Sequence, residues 1–165
     1  MKNNWTKTLL YVYKYLDRVS DGIDKLVEQN AFNSFYYGQN RSDNNVVSVA
    51  KRIINLCERK AKLVNMKVLV DTCLLKSTTL SAQLLIERYI DEDESDIIAN
   101  RHNLHIRTYF RKLIQAETSF SILMLKEGFS EEKLSNYLSG EKWILEVYEK
   151  FKNEGKVDCE DKQLV

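Results

Sequence analysis

The chain has 165 residues, of which 44% are hydrophobic and 30% charged, and its formal net charge is +1. It contains five glycines and no proline, a composition that favours long helices over a turn-rich sheet and predicts an all-α fold. No apolar run is long enough to span a membrane, and lysines interrupt residues 1–16, where a signal peptide would be apolar, so we expect a soluble, cytoplasmic protein.

The first predicted element is a long helix near the N-terminus. Its apolar side chains are spaced alternately three and four residues apart, and they are Leu9, Val12, Leu16, Val19, Ile23 and Leu26. This spacing is the heptad a/d pattern of helices that pack lengthwise on another helix. The partner is either the second helix of the same chain or a second chain, so a homodimer is one of two open alternatives.

A polar segment at residues 30–45 is predicted to end this helix, because Asn, Ser, Gly and Asp are frequent in it. An aromatic cluster lies near its start and is formed by Phe32, Phe35, Tyr36 and Tyr37. We interpret these rings as a cover for the core of the two N-terminal helices. A docking patch for a partner is the alternative, since such rings are favoured at interfaces.

A second long helix is predicted from Val46 to Lys76. Its apolar face is expected to carry Ala50, Ile53, Ile54, Cys57, Ala61, Val64, Val68 and Leu75. Its basic side chains fall largely off that face. Together the two helices are predicted to form an antiparallel, coiled-coil-like hairpin within residues 1–78.

Charge changes sign from segment to segment. Residues 46–79 carry seven basic and two acidic side chains, whereas residues 80–99 carry one basic and six acidic ones. Residues 100–116 carry four basic and no acidic side chains, and residues 117–165 carry seven basic and eleven acidic ones. A basic surface is therefore confined to the second helix and to the stretch that follows Asn100.

Residues 79–116 are predicted to form a module of three helices. The first covers residues 80–90 and is broken by the acidic run 91–94, and a short helix then runs from Ser95, its expected N-cap, to Arg101. After a turn at residues 102–104, the last helix starts near residue 105. The side chains expected to form the core of the module are Leu84, Leu85, Tyr89, Ile98, Ala99, Leu104, Tyr109 and Leu113.

Within residues 85–113 the sequence ERYID is followed by IIA, then NL, then RTYFRKL. This series resembles the region 4 helix-turn-helix of sigma-70-type factors. It is most similar to the version found in small phage-type transcription regulators of the ArpU and RinA kind from Gram-positive bacteria. The order of helical hairpin, polar loop, basic helix and helix-turn-helix extends the resemblance loosely over residues 10–116.

The resemblance implies that the last helix of the module enters the major groove of double-stranded DNA. By position, Ile106, Arg107 and Thr108 would face the bases. Arg111 and Lys112 would contact phosphates or base edges further along the groove.

The residue types of this helix also suit an anionic partner. Arginine can bind guanine through two hydrogen bonds, and lysine provides a point charge for a phosphate. No acidic residue occurs between Asn100 and Ala116. Arg101, at the end of the preceding helix, completes the predicted set of DNA contacts.

The chain departs from the family pattern in several places. His102 replaces an apolar core residue, His105 replaces the usual Ser or Thr N-cap, and Ile106 lies where polar base contacts are common. The acidic run at residues 91–96 would repel DNA if it faced the groove. It would suit a basic surface on RNA polymerase or on the second helix of the chain.

Residues 117–165 are predicted to be helices that pack on the module or on a second subunit. The long module helix should continue to Gly128 as its C-cap, and Ser130 should N-cap a short helix. A final helix is predicted over residues 141–154, with Gly155 closing it.

No pattern of metal binding or catalysis accompanies these helices. The three cysteines Cys57, Cys73 and Cys159 are widely spaced, and neither His102 nor His105 has a cysteine nearby to complete a zinc site. The sequence also lacks a phosphate loop, paired catalytic carboxylates and a nucleophile with a placed base. We therefore predict no metal, no cofactor and no enzymatic activity.

The sequence thus predicts a sequence-specific, DNA-binding transcription regulator of a phage, prophage or mobile element. Its expected partners are double-stranded DNA, RNA polymerase as a further candidate, and no membrane. The alternative is a non-catalytic helical interaction protein that binds RNA polymerase or a sigma factor through the acidic run without touching DNA.

Overall fold

The computed structural model describes residues 3–37 and 43–160, with side chains described for residues 3–35 and 46–154. All regular secondary structure in these ranges is helical, as predicted. The helices are α1 (Asn4–Tyr37), α2 (Asp43–Lys76), α3 (Thr79–Leu85), α4 (Ser95–Arg101), α5 (Ile106–Lys126), α6 (Glu131–Tyr137) and α7 (Lys142–Glu160), and a π-helical turn at Ile86–Ile90 follows α3 directly. Among the described residues, no helix combines the length and the apolar character needed to cross a membrane.

Several helices extend beyond their predicted ends. α1 continues through much of the predicted polar segment to Tyr37, and α2 already begins at Asp43. Residues 38–42 of that segment lie outside the described residues. α7 passes through Gly155 and ends at Glu160. One Asn, Ser or Gly costs a helix about 1 kcal/mol or less relative to alanine, which is too little to end it without a competing cap.

Contacts divide the chain into two compact units. One unit consists of residues 15–67, which include parts of α1 and α2. The other combines the start of α1, up to Lys14, with the chain from Val68 onwards. The predicted division into residues 1–78, 79–116 and 117–165 remains a prediction.

Two ion pairs join α1 to α2 in the unit of residues 15–67. Lys60 Nζ lies 2.6 Å from Asp24 Oδ2, and Lys67 pairs with Asp17. Residues later in α2 therefore pair with residues earlier in α1, which shows that the two helices are antiparallel. Exposed pairs of this kind contribute about 0 to 1 kcal/mol each, so they define the orientation of the helices more than their stability.

The predicted seam on α1 is buried only in part. Leu16 and Ile23 are buried, but Val19 is half-buried and Leu26 is 44% exposed. The interpretation of the aromatic cluster as a cover for the core is wrong for Phe32 and Phe35, which are 58% and 74% exposed. The side chains of Tyr36 and Tyr37 lie outside the described ones.

The face of α2 that was predicted from its apolar residues is also wrong. In the unit of residues 15–67, α2 buries Leu63 and Met66 instead. Most members of the predicted face are exposed, namely Ala50, Ile54, Cys57, Ala61, Val64, Val68 and Leu75. The ion pairs of Lys60 and Lys67 with α1 lie on this same side of α2, next to Leu63 and Met66.

In the other unit, aromatic rings connect the start of α1 with α7. The ring centroids of Trp5 and Tyr148 are 4.4 Å apart in a stacked arrangement. Phe151 of α7 makes edge contacts with Tyr11, at 5.9 Å, and with Tyr89 of the π-helical turn, at 6.3 Å. α7 is thus held against the start of α1 and against the π-helical turn by aromatic contacts in which Trp5 and Tyr89 are buried.

The predicted connection between α5 and α6 is confirmed. Gly128 has φ +84°, and the N–H of Phe129 donates to Met124 O at 3.0 Å, as expected for a glycine-ended helix. Ser130 Oγ accepts a hydrogen bond from Lys133 N at 3.2 Å and so caps α6.

Candidate nucleic-acid interface

A three-residue turn joins α4 to α5. Asn103 has φ +52°, and its N–H donates to Asn100 O at 3.1 Å. The N–H of Leu104 reaches back to Ala99 O at 2.8 Å. These two bonds form a Schellman motif with Asn103 in the left-handed position, where asparagine is the best alternative to glycine.

The turn predicts a measurable preference at residue 103. Asn103→Gly should keep or raise the free energy of unfolding, because glycine adopts positive φ without strain. Asn103→Val should lower it by about 1 to 2 kcal/mol, since a β-branched residue is strained there. Urea denaturation followed by circular dichroism measures both. Equal stability of the two variants would contradict this account of the turn.

The N-caps of α4 and α5 are of different kinds. The prediction of Ser95 as the N-cap of α4 is wrong, because the N-cap is Glu94, which makes no side-chain capping bond, and Ser95 is the first helical residue. His105 does cap α5, since its Nδ1 accepts a hydrogen bond from the N–H of Arg107 at 3.3 Å. The imidazole thus replaces the hydroxyl that is more usual at this position.

A buried apolar core lies beneath these helices, as predicted. α3 and α4 both contact α5. The predicted core residues that are buried are Leu84, Leu85, Tyr89, Ile98, Ala99, Tyr109 and Leu113. Leu104, in the turn, is half-buried. Burial raises the pKa of Tyr109, so its phenol is neutral in this core.

The first turns of α5 present most of the predicted contact residues. Arg107 and Arg111 are exposed. Thr108, Lys112 and Ile106 are half-buried, with Ile106 as the first residue of the helix. The spacing of four residues places Arg107 and Arg111 on one helix face, which gives that face a double positive charge.

Arg101 is held in an ion-pair network. Its Nη1 lies 2.9 Å from Asp93 Oδ2 and 3.3 Å from Glu87 Oε1. Hydrogen bonds to Asp93 and Glu87 raise the pKa of Arg101. His102 Nε2 lies 3.0 Å from Glu87 Oε2, with both side chains mostly buried. Glu87 thus joins His102 and Arg101 in one network.

The acidic run before α4 is partly neutralised. Glu92, which has φ +60°, pairs with Lys14 at the start of α1, and Asp93 pairs with Arg101. Asp91, Glu94 and Asp96 are exposed. Asp96 lies in the first turn of α4, where a negative charge is favourable to the helix dipole.

Sequence reasoning missed two apolar side chains on the same stretch of α5. Phe110 is 47% exposed and Ile114 is 59% exposed. They lie four residues apart, next to the arginines, so they form a small apolar stripe along the basic surface. The helical period could have predicted their exposure. The buried side chains Tyr109, Leu113 and Ala116 define the inner face of α5, and Phe110 and Ile114 lie on the opposite, outer side.

No group of His, Cys, Asp and Glu side chains among the described residues could hold a metal ion. Of the two cysteines with described side chains, Cys57 is exposed and Cys73 is buried. Burial raises the pKa of the Cys73 thiol to about 11, so this thiol is protonated at neutral pH. Comparisons of the chain with protein-family models, with curated proteins and with solved structures gave no match.

Proposed function

We propose that this chain is a sequence-specific, DNA-binding transcription regulator of the phage, prophage or mobile-element type. In this proposal α4, the turn and α5 act as a helix-turn-helix of the sigma region 4 kind, and the helical pair α1–α2 precedes it as a hairpin. The N-terminal half of α5 lies in the major groove.

The observation that carries the proposal is the surface of the first turns of α5. Arg107 and Arg111 project from one exposed face, with Thr108 and Lys112 beside them. The segment between Asn100 and Ala116 has no acidic residue to oppose a phosphate backbone. The buried contacts of α5 with α3 and α4 support a rigid presentation of this face, as base readout requires.

The residues divide into two roles in this proposal. Arg107, in the first turn, is the candidate for bidentate recognition of guanine, and Thr108 can contact a neighbouring base. Arg111 and Lys112, one turn later, neutralise phosphates and fix the register of the helix. Arg101 acts indirectly, because its ion pairs with Asp93 and Glu87 hold the end of α4 beside the acidic run.

The test begins with selection of a preferred site from a pool of random duplexes. Fluorescence anisotropy then compares the natural chain with two variants on the selected and on scrambled duplexes. Arg107→Ala should lose roughly 10- to 100-fold of discrimination between the two, which corresponds to about 1 to 3 kcal/mol. Arg111→Ala should weaken binding to both duplexes alike.

The matched control for this test is Lys126→Ala. Lys126 is an exposed basic residue at the last position of the same helix, so its removal changes net charge equally. Lys126→Ala should leave both the affinity and the discrimination unchanged, whereas Arg111→Ala should lower the affinity for both duplexes. A natural chain that shows no preference for any duplex, or variants that behave like Lys126→Ala, would refute the proposal.

A second function is favoured by a different observation. The exposed side chains of Phe110 and Ile114 would suit a protein surface better than the polar edges of a groove. In this alternative, the chain binds RNA polymerase or a sigma factor through α5 and the acidic run. Phe110→Ala with Ile114→Ala would then abolish binding to purified polymerase, whereas Arg107→Ala would leave it largely intact.

A further inference from the structure

One face of α2 in the unit of residues 15–67 is both apolar and exposed. Its side chains are spaced alternately three and four residues apart, and they are Val47, Ala50, Ile54, Cys57, Ala61 and Val64. The larger ones are far from buried, with Val47 at 54%, Ile54 at 56% and Val64 at 42% exposed. We refer to these six residues as the outer seam.

The spacing of the outer seam is a heptad pattern. Val47, Ile54 and Ala61 occupy the a positions, and Ala50, Cys57 and Val64 occupy the d positions. Such a stripe is stable in water when a second helix covers it along its length. Within the described part of residues 15–67, α1 does not cover it, since α1 pairs with Lys60 and Lys67 on another side of α2.

We propose that the outer seam packs against the outer seam of a second copy of this chain, with the two α2 helices antiparallel. The charges beside the seam identify this partner. Lys51 and Glu58 are exposed and lie one heptad apart at e positions. In an antiparallel coiled coil, e positions face e positions, so Lys51 of each copy meets Glu58 of the other and the pattern is complementary to itself.

A parallel pair would not use these charges. In that arrangement each e position faces a g position of the partner helix. Lys51 would then face Val46, and Glu58 would face Ile53, so neither charge would meet an opposite one. The flanking residues therefore favour the antiparallel orientation.

The antiparallel register set by these charges also matches the sizes of the seam residues. In this register, Val47 of one copy packs against Val64 of the other, Ala50 against Ala61, and Ile54 against Cys57. Each of these pairs occurs twice because the two copies are equivalent. Every seam residue thus has one partner, and the alanine layers allow the two helices to approach closely. The outer seam and the proposed DNA-binding face lie on different helices, α2 and α5.

The first test measures molar mass by sedimentation equilibrium over a range of micromolar concentrations. The natural chain should have twice the mass of one chain. Ile54→Glu should raise the dissociation constant about 100-fold or more, because it places two carboxylates in the apolar interface. The control Asn55→Glu adds the same charge to the adjacent exposed position, outside the seam, and should leave the dimer intact.

Circular dichroism shows whether the Ile54→Glu variant is still folded. Ile54 is exposed in the single chain, so its substitution should leave the helix content close to that of the natural chain, and the variant should still unfold cooperatively. A natural chain that is monomeric at all concentrations would overturn the proposal. A dimer that Ile54→Glu and Asn55→Glu affect equally would overturn it as well, since the contact would then lie elsewhere.

The second test determines the orientation by disulfide formation. Cys57→Ala and Cys159→Ala remove the other thiols, while Cys73 remains because it is buried and protonated. Two chains of different tag length then carry either Val47→Cys or Val64→Cys. Under mild oxidation the mixture should give mainly the cross-link between the two different chains. Each variant linking chiefly to itself would show a parallel pair and overturn the antiparallel assignment.

Neither result depends on DNA binding. A chain that dimerises but binds no duplex would leave the outer seam supported and refute the proposed function. A monomer that selects a duplex would do the reverse.

Discussion

Trp5→Ala should lower the free energy of unfolding by about 3 to 5 kcal/mol, the usual loss when a buried aromatic side chain is removed from a core. Trp5 is 2% exposed and stacks on Tyr148 of α7 with ring centroids 4.4 Å apart. Its removal therefore costs the apolar contacts of both rings and leaves a cavity that the two helices can fill only in part. For a chain of this length the melting temperature should fall by roughly 10 °C.

Urea denaturation followed by helix circular dichroism measures this loss, because it does not depend on tryptophan emission. Phe110→Ala is the matched control. It also removes an aromatic ring from a helix, but Phe110 is 47% exposed, so its loss should be about 0.5 kcal/mol or less. A Trp5→Ala variant no less stable than Phe110→Ala would show that α7 is not anchored through this stack.

The buried pair of Tyr89 and Glu117 should make stability fall at alkaline pH. The Tyr89 hydroxyl donates to the Glu117 carboxylate, which is 4% exposed and lies 3.8 Å from Lys7 Nζ. Burial, and then the charge of Glu117, raise the pKa of Tyr89 well above its ordinary value of 10. The folded chain therefore holds this proton at a pH at which the unfolded chain releases it.

The sign of the effect follows from proton linkage. Because the pKa is raised in the folded state, the contribution is complete below about pH 10, the ordinary pKa of tyrosine, and is lost as pH rises above it. Tyr89→Phe lacks this titration and leaves Glu117 without its donor. At pH 7 it should be less stable than the natural chain by about 1 to 3 kcal/mol, and the difference should shrink above pH 10.

The measurement is urea denaturation of both chains from pH 7 to pH 11.5. A difference between Tyr89→Phe and the natural chain that stays constant with pH would contradict the raised pKa.

The sequence predicts the local elements of this chain better than the rotation of its helices. The core residues of the module could be predicted from helical periodicity alone. Leu84, Ile98 and Tyr109 each belong to an apolar series at helical spacing within a helix whose ends are well marked in the sequence. The turn at Asn103 and the C-cap at Gly128 follow from residue types that tolerate positive φ. Each of these features depends on a few neighbouring residues.

The rotation of α2 could not be predicted in this way, because the helix carries two apolar stripes. Hydrophobicity alone does not decide whether the stripe of Ile54 or that of Leu63 meets α1. The side that meets α1 is marked by the pairs of Lys60 with Asp24 and Lys67 with Asp17, contacts between residues far apart in the chain, which a single helix does not show.

The candidate DNA-binding surface was also predicted only in part. Exposure of Arg107 and Arg111 follows from the helical period, once Tyr109 and Leu113 are assigned to the core. The network of Arg101 with Glu87 was not foreseen, because it depends on how the π-helical turn at Ile86–Ile90 presents its side chains to α4. A π-helical turn has no clear signature in a single sequence.

The most direct test of the account is the salt dependence of duplex binding by the natural chain. Phosphate contacts of Arg111 and Lys112 predict that the logarithm of the binding constant falls linearly with the logarithm of salt concentration. The expected slope is roughly −2, at about 0.9 per phosphate contact. Absence of binding at low salt, or binding that is indifferent to salt, would contradict a DNA-binding role for α5.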